Sequence, residues 1–286
     1  MLDVLLLVIA GLIILIGSLT DLQTREVPDW LNYAGIAAGF LLRLLMSGLS
    51  WSYEPFLSGI LGFGTFFVLG CVMYYTGQWG GGDAKLLMAL GALFGFEFRP
   101  DGFAIAFLVN VLLAGAAYGM CWIITLALLH IKKIMRRILA LIKLKPVLIM
   151  LITAASGLVV CSILAIVLWS SPLRLSVALL GLAFPVFAAL YLLVKSVELC
   201  CMYAWMTPDK LTEGDWLVHG ITIAGRRIVD PSDLGVQKDQ LPILQKLYAQ
   251  GKIKRVLVKN GIPFVPSFLL AFAVTLLVGN VVLLVI

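Results

Sequence analysis

Charged residues are scarce in this chain: Asp, Glu, Lys and Arg make up 13% of 286 residues, against 62% hydrophobic and a mean hydropathy of +1.08. Soluble domains are nearer a quarter charged, so the balance excludes a soluble globular enzyme and indicates an integral membrane protein. Histidine is nearly absent, and His130 and His219 stand alone, so both read as structural. The five cysteines (Cys71, Cys121, Cys161, Cys200 and Cys201) form no C-x-x-C pair and lie in or beside apolar segments. They suggest small packing residues rather than a zinc site or a disulfide framework, and no metal or cofactor is expected. Met1-Leu2-Asp3 brings no basic n-region, and no small-residue cleavage site precedes Asp21. The first apolar run is therefore expected to be a retained span rather than a removed signal peptide.

What is present is a series of long apolar runs. A span needs roughly 20 such residues, and eight candidates follow: 2–19, 30–48, 56–76, 84–98, 103–131, 147–169, 173–194 and 264–286. The expected fold is an all-α polytopic membrane protein of about eight transmembrane helices with a small α+β module. Basic residues orient it. Six lie in 132–145 and ten in 195–263, while the opposite side has only Arg99 and Arg174. Lys and Arg in short loops prefer the cytoplasm, which puts both basic regions, and the loops 20–29 and 77–83, on that side. The predicted organisation is a transmembrane core over 1–131 and a basic loop over 132–146. A further transmembrane pair (147–195), a cytoplasmic module (196–263) and a last helix (264–286) complete it. Within the module, strands are expected around Gly220 and Gly225 and a helix over 240–250. A hairpin is expected at Lys259-Asn260-Gly261. The basic cluster reads as a topology signal that also meets anionic membrane lipid; no nucleic-acid role is expected. Arg43 is expected to snorkel, Glu97 and Arg99 to pair, and Gly115 and Gly119 to serve helix packing.

Two carboxylates stand out. Asp83 follows three glycines (Gly80, Gly81 and Gly82) at the mouth of an apolar run, and Asp21 closes the first run. An acid at a bilayer edge is a functional candidate by default. Two complete spans separate the pair, so both must emerge on one face. Two close carboxyl groups share a proton, so one serves as base toward water and the other as acid toward a carbonyl. The bland alternatives are capping or loop roles for each Asp and a hinge or packing role for the glycines. A phosphate-binding loop is a poor fit, because Gly-Lys-Ser/Thr is missing and Asp repels phosphate. Pro28 breaks the first helix from the second, Asp29 suits an N-cap, and Trp30 suits an interface anchor. Lys85 reads as an interface residue whose charge reaches the headgroups.

The run from Asp21 through Thr24-Arg25-Glu26-Val27-Pro28-Asp29-Trp30, followed by Gly80-Gly81-Gly82-Asp83-Ala84-Lys85, resembles the type IV prepilin peptidase family. It is similar above all to the archaeal prepilin and preflagellin peptidases, GxGD-type membrane aspartic proteases. Glu213-Gly214-Asp215-Trp216 and Asn260 to Phe268 add to the resemblance. It implies that Asp21 and Asp83 are catalytic, with Gly80, Gly82 and Lys85 supporting the motif. It further implies removal of a short basic leader from pilin-like or archaellin-like precursors at the cytoplasmic face of the cell membrane. Glu26 and Asp29 are candidates for attracting leader Lys or Arg. The chain departs from bacterial relatives in lacking their cysteine pairs, and the apolar pair 147–194 is extra to the compact archaeal form. The rival reading is an ion-coupled or proton-relaying transporter, which predicts inverted repeats and acids at the bilayer midplane.

Overall fold

The apolar runs fold as helices. The structure, a computed structural model, describes residues 2–223, 226–230 and 235–284. Its first helices are α1 (Leu2–Thr24), α2 (Asp29–Ser50), α3 (Glu54–Tyr75), α4 (Gly81–Phe94) and α5 (Phe103–Leu129). They are followed by α6 (Ile131–Ile142), α7 (Lys145–Val167), α8 (Leu173–Cys201), α9 (Gln240–Ala249) and α10 (Val265–Val278). The short strands are β1 (Tyr203–Met206), β2 (Trp216–Leu217), β3 (Ile221–Ile223), β4 (Arg226–Val229) and β5 (Val256–Lys259). Among the described residues six helices, α1, α2, α3, α5, α7 and α8, are long and apolar enough to cross a membrane. The chain is a multi-pass membrane protein with a small sheet-containing module.

The two remaining expected spans are shorter than the apolar runs suggest. α4 and α10 have 14 residues each, about 21 Å of helix against a hydrocarbon core of ~30 Å. α4 stops at Phe94 because Gly95 takes φ +67, a left-handed turn that glycine makes without strain. Past α10 the chain forms a 3-10 turn, Val281–Leu284.

The described chain forms two compact units. The first comprises Met1–Met120, Met206–Val256 and Gly261–Ile286. At its centre α4 is apolar all round, with Leu86, Leu87, Leu90 and Leu93 each at most 1% exposed. Such a helix is a core element, not a lipid-facing one, and α1, α2 and α3 pack around it. α3 and α4 touch backbone to backbone: a methyl placed on Gly91 would lie 2.5 Å from the Gly62 carbonyl oxygen. α1 turns Leu6, Ala10, Ile14, Gly17, Ser18 and Asp21 inward at helical spacing, while Leu5, Leu12 and Leu19 stay exposed on its other side. Asp21 therefore belongs to the packed stripe, and α10 covers that stripe.

Arg43 does not snorkel. It is 7% exposed and donates to the carbonyls of Ala92 (2.9 Å), Leu93 (2.8 Å) and Pro55 (3.2 Å). Two of these are orphan acceptors at the C-terminus of α4, where a cation also meets the negative end of the helix dipole. Arg99 pairs with Asp101 at 2.7 Å instead of Glu97. Gly115 gives way to the Phe264 ring, whereas Gly119 faces nothing within 4 Å, so only one end of the expected small-residue pattern is a contact.

Within the same unit, β3 and β4 pair antiparallel, Ile221 opposite Val229, with a bulge after Ile221. They realise the strands expected near Gly220; Gly225 lies outside the described residues. α9 buries Leu244 and Leu247 and packs on the 3-10 turn Pro208–Lys210. The hairpin expected at Lys259-Asn260-Gly261 does not form. Its first arm is β5, but the second enters α10, with Pro266 in the first turn where its missing N–H costs nothing.

The second unit comprises Cys121–Trp205 and Leu257–Asn260. α7 and α8 form a packed pair, with Gly157 against the Phe184 ring and Gly181 against Cys161. β1 pairs with β5. The basic stretch 132–146, expected as a loop, contains the amphipathic helix α6 over most of its length. Ile134, Ile138 and Leu141 recur on one side, and Ile134 and Ile138 pack with Val197 and Leu193 of α8. Lys132 and Arg136 take the opposite side by the same periodicity, and Lys133 and Arg137 flank the apolar stripe. Lys133 Nζ donates to the Cys200 carbonyl at 2.6 Å, satisfying a last-turn acceptor of α8. All five cysteines are free.

Candidate active site

Asp21 sits in the last turn of α1, which closes with Arg25 in the left-handed region (φ 60). Its side chain is buried at 4% exposure, and Oδ2 accepts the backbone N–H of Val265 at 2.9 Å. The carboxylate thereby caps the start of α10, where N–H groups lack helical partners and the dipole favours negative charge. Ser18 Oγ donates to the Val265 carbonyl at 3.2 Å, so two side chains on one face of α1 hold this junction.

Asp83 is the third residue of α4. Its Oδ2 accepts the N–H of Gly80 at 3.2 Å, which folds the glycine turn back on the helix start in the manner of a capping box. Gly82 is tight against the Asp21 loop: a methyl there would lie 3.2 Å from both the Cβ and the backbone nitrogen of Val27. Asn32, on α2, donates from Nδ2 to the Gly82 carbonyl at 3.4 Å. Trp79, just before the turn, packs on Phe264 and Phe268 with ring centroids 5.4 and 5.3 Å away. These contacts bring the glycine turn, the Asp21 loop and the start of α10 to one end of the first unit. There Asp21 is near enough for its charge to act on Asp83.

Lys85 is engaged rather than free at the interface. Its Nζ lies 2.6 Å from Asp29 Oδ1 and 5.8 Å from the Tyr33 ring centroid. Asp29 is not the N-cap of α2: Pro28 occupies that position in extended conformation, and Asp29 is the first helical residue. Glu26 is exposed on the loop. Its charge reaches Asp215, and Glu213 lies within electrostatic range of Lys85. Trp216 closes on Gly77, where a methyl would sit 2.8 Å from the indole. Burial pushes the Asp215 carboxyl above its ordinary value and Glu26 adds to this, against hydrogen bonds from Thr212 that pull it down. An acidic rim of Glu26, Asp29, Glu213 and Asp215 thus borders the same end of the unit.

Sequence reasoning singled out both aspartates but missed Val265 as a partner of Asp21, and missed Asn32 altogether. The matched Asn260–Phe268 run was the available signal for the first. A single Asn within an apolar run gave none for the second. Among the described residues no group of three or more His, Cys, Asp or Glu forms a metal-ligand cluster. Chemically, two carboxyl groups brought close in a partly desolvated setting can share one proton, one then serving as base toward water and the other as acid toward a carbonyl oxygen.

Comparison with known proteins finds three similar peptidases and one matching family. Preflagellin peptidase of Methanococcus voltae is 35% identical over 80 residues, 28% of this chain and 34% of the relative. Those of Methanocaldococcus jannaschii and Methanococcus maripaludis are each 35% identical over 86 residues, 30% of this chain and 36% and 37% of the relatives. The chain therefore spans about a third of the length of the curated relatives it matches. No solved structure matches it. Residues 6–120, which supply both aspartates and the glycine turn between α3 and α4, match the type IV leader peptidase family.

Proposed function

We propose that this protein is a membrane aspartic endopeptidase that removes the short basic leader from type IV pilin-like or archaellin-like precursors at the cytoplasmic membrane face. The observation that carries this reading is that Asp21 and Asp83, from separate helices, come to one end of the first unit through the Gly82–Val27 and Asp21–Val265 contacts, where the charge of Asp21 acts on Asp83. In this mechanism the ionised member of the pair takes a proton from water, and the protonated member donates to the scissile carbonyl oxygen. Hydroxide equivalent adds to the carbonyl carbon, and collapse of the tetrahedral intermediate returns a proton to the leaving amine. Gly80 and Gly82 let the backbone turn close enough to present Asp83, and Lys85 ties the start of α4 to α2 through Asp29. A precursor whose apolar helix lies in the bilayer would bring its leader to this end of the bundle. Membrane lipid surrounds the apolar helices and meets the basic face of α6; nucleic acid has no part. Both acids lie at helix ends rather than mid-helix, so the transporter alternative draws no support.

The test is co-expression with a tagged precursor. The expected result is a shortened precursor in membranes that contain the wild-type chain. Full-length precursor throughout, with the chain present in the membrane, would overturn the assignment.

The acidic rim carries a graded prediction about leader binding. Asp29 already has Lys85 as counter-ion, whereas Glu26 is exposed with an acidic neighbour. Glu26→Gln is therefore expected to raise KM for lysine-bearing leaders about two- to fivefold, the range of a rim ion pair. Asp29→Asn is expected to do less. Steady-state cleavage of leader peptides with and without lysine checks this; equal KM values for both leaders in every variant would dismiss the role.

A further inference from the structure

Asn32 is fully buried at 0% exposure, one turn into α2 and beside the glycine turn. Its Nδ2 spans from α2 to the Gly82 carbonyl, the peptide that leads directly into Asp83. Its Oδ1 is also buried and accepts no hydrogen bond from any described residue. A buried acceptor without a donor costs about 1–3 kcal/mol. A leucine has the same branched outline and number of side-chain heavy atoms and carries no unpaired acceptor. Packing alone therefore does not account for an amide at this position.

The neighbouring contacts say what the amide does. Gly82 is already pressed against Val27 on one side, and Lys85 ties the next turn of α4 to Asp29 on α2. The Asn32 bond lies between these two restraints and acts on the backbone immediately before the acid. Within the proposed peptidase reading, on which this rests, we infer that Asn32 is a positioning residue. It fixes the Gly82–Asp83 peptide so that the Asp83 carboxylate faces Asp21, and it keeps Oδ1 as an acceptor for a donor that arrives with the bound precursor. The stability lost through that oxygen is retained because the reaction uses the geometry, in line with active-site residues that are not optimal for folding.

The experiment compares wild type with Asn32→Leu in detergent or proteoliposomes. Three readouts are taken: precursor cleavage, thermal stability, and backbone hydrogen exchange over residues 79–86. The expected outcome is a kcat lowered about 10- to 100-fold, as for a displaced catalytic group, with KM within about twofold. Tm should change little, because removal of the orphan acceptor offsets the cost of the larger side chain. Exchange over 79–86 should rise while exchange elsewhere in α4 holds. A lowered Tm with wild-type kcat would overturn the inference and leave Asn32 a packing residue. So would unchanged kcat and exchange. If the wild type itself cleaves no precursor, the exchange measurement still decides whether Asn32 fixes the turn, and only the peptidase reading falls.

Discussion

Asp83→Asn is expected to abolish precursor shortening, a loss of about 10²–10⁴-fold or more for a proton-transfer group, while the chain accumulates normally in the membrane. The geometry makes this substitution a clean probe. Asn keeps a side-chain oxygen that can accept the Gly80 N–H now received by Asp83 Oδ2 at 3.2 Å. The turn therefore survives, and only the exchangeable proton of the pair is lost. The same holds for Asp21→Asn, whose oxygen can still accept the Val265 N–H now held at 2.9 Å. Asp21→Ala is different, because it also removes the cap of α10 and should cost about 1 kcal/mol of stability on top of activity. The contrast separates chemistry from architecture: both Asn variants inactive at wild-type Tm, the Ala variant inactive and less stable. Retained cleavage in either Asn variant would remove that residue from the mechanism. Wild-type cleavage should follow a bell-shaped pH profile whose two limbs belong to the coupled pair rather than to either acid alone.

The second large effect is on folding. Arg43→Met should lower stability by about 2–5 kcal/mol, because three carbonyls then lose a charged donor inside the bundle. Two of them, Ala92 and Leu93, end α4, the helix that begins with the glycine turn, so the loss reaches the site through the helix that carries Asp83. Arg43→Lys should recover only part of the stability. One ammonium cannot reproduce the fork that serves Ala92, Leu93 and Pro55 together. Thermal unfolding in detergent measures both, and a Tm for Arg43→Met equal to wild type would mean that those carbonyls find other donors. A lipid-exposed snorkelling arginine, as the sequence suggested, would give no such effect.

The place of each long apolar helix was legible because apolar runs of span length have few alternatives in a bilayer, where every backbone group must be satisfied within the segment. Helix ends were less so. The fourth run continues apolar to Phe96, yet the helix stops at Phe94. One glycine in the left-handed region and an arginine from another helix decide that stop, and neither is visible in hydropathy. The basic stretch 132–145 was read by its charge, although its apolar residues recur with helical period and make α6.

For the candidate site, the sequence by itself pointed to the two acids, the glycines beside Asp83 and, through parity, a common side. These follow from local chemistry: an acid at a span end is costly unless used, and three glycines allow a tight backbone. Only the tertiary structure decided what surrounds them. Val265 comes to Asp21 across 244 positions of sequence, Asn32 to Gly82 across 50, and Lys85 to Asp29 across 56. Such contacts depend on which faces of the helices meet, and that is set by close packing at Gly62, Gly82 and Gly91, not by any property of the partner residues read one at a time.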